Sequence, residues 1–202
     1  KNSASLVVVK GRRRIGKSRL IQEFGKDLKM ISIAGLTPTD TTTLQDELNA
    51  FGWQLGQALG QPPFKEDDWN TLFSRLANQT RQGRVLILFD EISWMGSKDP
   101  HFLGKLKNAW DQEFKNNPQL ILVLCGSVSA WIEKNILGST GFLGRVSLNL
   151  TLEELSLSES NEFWVKNKEN ISTYEKFKIL SVAGGVPKYL EEIQTNLSAE
   201  EN

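Results

Sequence analysis

The residues Gly11-Arg12-Arg13-Arg14-Ile15-Gly16-Lys17-Ser18 can trap a phosphate. They satisfy the pattern G-x-x-x-x-G-K-[ST] at every fixed position. Glycines let backbone amides curl around oxygen atoms. A helix starting at the loop's end adds a partial positive charge and amides that have no other partner. Lys17 then reaches the β- and γ-phosphates, and the Ser18 hydroxyl becomes a ligand for Mg²⁺. Arg12, Arg13, Arg14, Ile15 and, one residue into the following helix, Arg19 complete the expected nucleotide-binding set.

A second group of chemistry-bearing residues closes two apolar runs. Val85-Leu86-Ile87-Leu88-Phe89 has no alternation, so it reads as a strand buried on both faces, and it ends in Asp90-Glu91. Ligands of parallel sheets bind at such strand tips. Asp90 is therefore the expected Mg²⁺ partner, and Glu91 the base that polarises an attacking water. Leu120 to Cys125 is another fully apolar run, closed by Gly126 and Ser127. Ser127 is positioned to bond the attacking water or the γ-phosphate, or to cap the helix through Trp131 and Ile132. Arg145 follows a glycine-rich connection, Gly138 to Gly144. It is either a stabiliser of transition-state charge or a solvated surface arginine.

The elements that must hold these groups are legible in the apolar spacing. Leu6-Val7-Val8-Val9 predicts the strand before the loop, and Leu20, Ile21, Phe24 and Leu28 one face of the helix after it. Met30 to Ala34 predicts a second strand. Leu44, Leu48, Phe51, Leu55 and Leu59 form one helical stripe, with a threonine among 41–43 as its cap and with Gly52 and Gly56 weakening it. Pro62-Pro63 forces a break, and Trp69, Leu72, Phe73 and Leu76 face inward from a further helix. Trp53 and Trp69 read as core or partner-facing aromatics. Pro100 to Asn117 predicts one amphipathic helix, and Val146 to Leu150 a last strand.

Composition narrows the classes. The chain has 202 residues, 39% of them apolar and 24% charged, which suits a packed globular domain with a small appendage. Its formal net charge is zero, which argues against a general nucleic-acid surface. The charge is uneven: residues 1–36 carry nine Lys and Arg against two Asp and Glu, and residues 151–202 five against ten. Positive charge beside the loop suits a polyanion, and DNA contact by the three arginines is the alternative. One cysteine, Cys125, points to a reducing, cytoplasmic compartment, and no run is long enough to span a membrane. His101, the one histidine, has no Cys or His near it to share a metal. Beyond Leu150 only short helical stretches follow, with Pro187 able to start one of them.

The loop at 11–18, the strand ending in Asp90-Glu91, Ser127, Gly-Arg before the last strand and Gly-Gly-Val-Pro-Lys-Tyr-Leu at 184–190 together resemble the prokaryotic, archaeal-type ATPases of the AAA+/STAND group of P-loop NTPases. The resemblance implies an α/β three-layer sandwich with a five-stranded parallel sheet in the order 5-1-4-3-2. Residues 1–150 are then the ATPase core and 151–202 the start of a small C-terminal helical lid, truncated. It implies ATP and ADP with Mg²⁺ as ligands, Ser127 as the sensor on the fourth strand, and Pro187 packed near the adenine or ribose. A C-terminal effector domain or a DNA-associated partner, and an oligomer, are further implications. The lid arginine of many such proteins has no counterpart here beyond Lys188.

Two functions fit these residues. One is Mg²⁺-dependent ATP hydrolysis that drives or gates a partner. The other is a nucleotide-gated switch with little turnover, favoured by the missing lid arginine. A small-molecule kinase is a third, weakened by the acidic C-terminal region, and no guanine-reading Asn-Lys-x-Asp segment is present.

Overall fold

The computed structural model describes residues 3–165 and 171–202. It divides into two compact units. One contains the residues up to Lys10 together with Ser18–Thr151, and the other contains Gly11–Lys17 with Leu152–Asn202.

The first unit is built on five strands: β1 (Ser5–Lys10), β2 (Lys29–Ala34), β3 (Val85–Asp90), β4 (Leu120–Gly126) and β5 (Val146–Thr151). All pairings are parallel, in the order β2-β3-β4-β1-β5. Read from the other edge, this is the expected 5-1-4-3-2. The central strands β3 and β4 are buried almost throughout, as their unbroken apolar runs require, while the edge strand β5 is largely exposed.

Helices α2 (Leu44–Leu59), α3 (Trp69–Gln79) and α5 (Phe102–Gln112) share one core with the sheet. Phe73 stacks on Phe89 of β3 and meets Phe51, Phe102 and Phe114. On β3, Ile87 and Phe89 belong to this core, whereas Leu86 packs by Gly25 at the end of α1 (Lys17–Gly25), so helices cover both faces. Leu20 and Phe24 of α1 and Leu148 and Leu150 of β5 remain exposed beside an apolar groove of about 350 Å³.

Local signals behave as their chemistry dictates, with exceptions: α1 stops at Gly25, short of the Leu28 expected on its face. Thr43 caps α2 through a reciprocal capping box with Asp46, and Gly60 closes it in the left-handed region. Gly52 and Gly56 do not interrupt α2. The carbonyls of Phe64 and Pro62 approach them so closely that an added Cβ would lie 2.0 and 2.8 Å away. The helix expected over 100–117 is shorter: it runs Phe102–Gln112 and gives way to a single 3₁₀ turn, Phe114–Asn116. The break falls at Glu113, whose carboxylate accepts a bond from the Ser74 hydroxyl at 2.6 Å. Trp69 is fully buried, but Trp53 is 55% exposed, because it lies on the side of α2 opposite the core stripe.

Two short helices complete this unit, α4 (Ile92–Met95) after β3 and α6 (Ser129–Ile132) after β4, the latter passing into a π-helical turn at Glu133–Leu137. The second unit carries α7 (Leu157–Val165), α8 (Thr173–Ala183) and α9 (Pro187–Glu192) around a small core of Trp164, Ile179 and Leu190. Pro187 occupies the first turn of α9, where its missing N–H costs nothing.

Candidate functional site

In the first unit, the parallel register brings the ends of β1, β3 and β4 level. Phe89 lies opposite Leu124, and Lys10 opposite Gly126. Asp90, Glu91 and Ser127 therefore leave the sheet side by side. Ser18, at the start of α1, donates its hydroxyl to Asp90 Oδ2 at 2.6 Å. The other Asp90 oxygen, Oδ1, accepts the Glu91 N–H at 3.0 Å, so the carboxylate is oriented from both sides. These two residues are hard oxygen donors of the kind that hold a magnesium ion. Among the described residues no cluster of three or more His, Cys, Asp or Glu competes for a metal.

Glu91 sits in the left-handed region, φ 48° and ψ 53°, which is strained for a residue with a side chain. Its Oε2 accepts both the hydroxyl of Ser127, at 2.9 Å, and the Ser127 N–H, at 3.2 Å. Ser127 does not cap α6. The N-cap there is Val128, with no side-chain cap bond, because the serine hydroxyl is committed to the glutamate. The strained backbone directs the Glu91 side chain at the end of β4.

Arg145 is half-buried and held elsewhere in this unit. Its guanidinium forks onto Asp111 of α5, with Nε 3.0 Å from Oδ1 and Nη2 2.7 Å from Oδ2. The Arg145 hydrogen bonds, helped by Lys107, hold the Asp111 carboxyl well below the usual carboxylate range. Lys10 is buried at the end of β1 and pairs with Glu133. Arg19 is exposed on α1.

The second unit contains the rest of the glycine loop. Lys17 is buried, and its ammonium donates to the carbonyls of Gly11, at 2.8 Å, and Arg12, at 2.9 Å, so the loop is folded over its own lysine. Gly11 has φ 149°, and an added Cβ would lie 2.4 Å from the Leu152 carbonyl oxygen, so only glycine fits. Ile15 is buried, and Arg13 is exposed. Arg14, at φ 67°, places its guanidinium 5.4 Å from the centre of the Tyr189 ring. Arg12 pairs with Glu154, 142 residues away in sequence. Spacing could not reveal Glu154, Tyr189 or Asp111 as partners of these arginines, because no local pattern records contacts of such separation.

Comparisons with known proteins agree with this architecture. A Walker-type ATPase of Pyrococcus abyssi superposes with a TM-score of 0.67 at 16% identity, over 97% of this chain and 65% of its own. The ORC2 protein of Aeropyrum pernix, solved in ADPNP–ADP complexes, gives 0.51 at 15% identity, over 82% of this chain and 45% of its own. At such identities the likeness speaks to the fold, that of a P-loop ATPase. An uncharacterised protein of Methanocaldococcus jannaschii is 24% identical over 194 residues. That match covers 96% of this chain, which spans 40% of the length of its relative. A family model, described as an ATPase domain predominantly from Archaea, matches residues 1–193, and the chain therefore belongs to that family of ATPase domains.

Proposed function

We propose that this domain binds ATP with magnesium through Gly11–Ser18 and hydrolyses it, and that the cycle gates a partner, either an effector domain or a DNA-associated one. The observation that carries the reading is the 2.6 Å bond from the Ser18 hydroxyl to Asp90. It joins the last residue of the phosphate loop to the acid at the tip of β3, and Ser18 and Asp90 are the residues that would hold the ion. When bound, magnesium supplies charge neutralisation on the phosphates.

The chain's own residues supply the rest. The loop amides and Lys17 bind and orient the triphosphate, and Pro187 lies against the adenosine moiety. Glu91 takes the proton of a water aimed at the γ-phosphate. Hydrolysis of this kind depends on position and electrostatics more than on covalent chemistry. Glu91 Oε2 is held by Ser127, so Oε1 is the atom that takes that proton, and Arg145 can reach developing charge only by leaving Asp111.

The Arg145–Asp111 pair favours the second reading, a switch that binds nucleotide and seldom turns it over. Steady-state phosphate release separates the readings. Glu91→Gln is expected to lower turnover by about a hundredfold or more while nucleotide binding persists, the usual scale for loss of a general base. Near-zero and equal rates in both proteins, with binding intact, would establish the switch instead.

A further inference from the structure

The loop arginines are tied to the C-terminal helices by a single carboxylate with two jobs. Glu154 Oε1 takes Arg12, and Oε2 faces the Gly184–Gly185 turn between α8 and α9, accepting the Gly185 N–H at 3.4 Å. Gly184 has φ 60°, and a Cβ there would lie 2.7 Å from Glu154 Oε2. The next residue, Leu155, donates its N–H to the Gly185 carbonyl at 2.8 Å. Arg14 adds a second tie by lying over Tyr189 of α9. The Arg12–Glu154 pair is solvent-accessible, with side chains 58% and 40% exposed, so a bound polyanion can compete for it.

We propose that Glu154 is a charge sensor for the phosphate loop: nucleotide phosphates draw Arg12 off Glu154, and the Gly184–Gly185 turn held by the same carboxylate loosens, so that α8 and α9 report occupancy of the loop. The inference rests on the reading that Gly11–Ser18 binds nucleotide phosphates. A polyphosphate offers Arg12 more negative charge than one carboxylate does. Linkage makes the effect reciprocal: if nucleotide loosens the turn by drawing Arg12 off Glu154, then removing Glu154's hold on Arg12 raises nucleotide affinity.

The test uses the full chain as wild type, Glu154→Gln, Arg12→Gln and the double variant. Each is titrated with a fluorescent ATP analogue and followed by hydrogen exchange in peptides covering 152–158 and 184–192. Glu154→Gln is expected to bind about two- to fivefold more tightly, the scale of one exposed ion pair. That gain should vanish in the Arg12→Gln background. In the wild type, nucleotide should raise exchange at 184–192, and in Glu154→Gln exchange there should be high without it. Tyr189→Leu, which removes the second tie, should raise it as well. Unchanged affinity in Glu154→Gln, or exchange at 184–192 that nucleotide leaves alone or lowers, overturns the sensor while the functional reading stands. A wild type that binds nucleotide no better than Lys17→Ala overturns both.

Discussion

The two units of this molecule are stabilised on different scales. Around the sheet, Phe51, Trp69, Phe73, Phe89, Phe102 and Phe114 are each no more than 1% exposed and pack ring against ring. In the helical unit the buried cluster among the described residues is Trp164, Ile179 and Leu190, while Leu157, Tyr174, Phe177 and Val182 are 68 to 90% exposed. Buried apolar area is the main favourable term in folding, so opening the sheet unit should cost more free energy than opening the helical unit. The acids at the tip of β3, Asp90 and Glu91, lie on the first. The residues that meet the loop arginines, Glu154 and Tyr189, lie on the second.

The contrast is open to attack, starting with the cores. Phe73→Ala should cost about 3–5 kcal/mol of stability and lower the midpoint of the whole denaturation curve. Trp164→Ala removes a comparable ring, yet should raise hydrogen exchange across 173–192 and leave β3 protected. Equal loss of protection in both regions would show one cooperative core and erase the distinction.

A smaller effect is expected at Gly185, where an added Cβ would lie 2.0 Å from the Leu155 carbonyl oxygen. Gly185→Ala should destabilise the helical unit by about 1–3 kcal/mol, as overpacking does. Thermal melts read by Trp164 fluorescence in a variant lacking the other tryptophans would measure it. An unchanged melt would mean that the turn relaxes freely.

The smallest effect concerns Glu47, buried on α2 and bonded by the Ser97 hydroxyl and the Lys98 N–H. Burial pushes its carboxyl above the ordinary value, outweighing those donors, so the folded state favours the protonated form. Its contribution is fully present below the unfolded value and is lost as pH rises through the folded one. Denaturant stability should therefore fall for the wild type relative to Glu47→Gln as pH rises above about 4, the range of a free glutamate. Parallel pH profiles would show that burial of Glu47 carries no pH sensitivity.

Much of the sheet was legible beforehand because a strand buried on both faces must be apolar at every position, and 85–89 and 120–125 are. The phosphate loop was legible because its glycines and lysine are adjacent in sequence. The end of α5 was not. The apolar stripe continues through Phe114, but the chain leaves the helix at Glu113, whose carboxylate is bonded by Ser74 of another helix. Trp53 and Trp69 have the same chemistry, and only the direction each takes from its helix separates core from surface.

By itself, then, the order of residues determined the strands, the loop and the acids at the tip of β3, since each depends on neighbours within a few positions. The tertiary structure alone decided that Ser127 bonds Glu91, that Arg145 forks onto Asp111 and that Arg12 meets Glu154. Each of those choices matches a charge or hydroxyl with a partner brought near by chain packing, and one-dimensional periodicity carries no record of such distances.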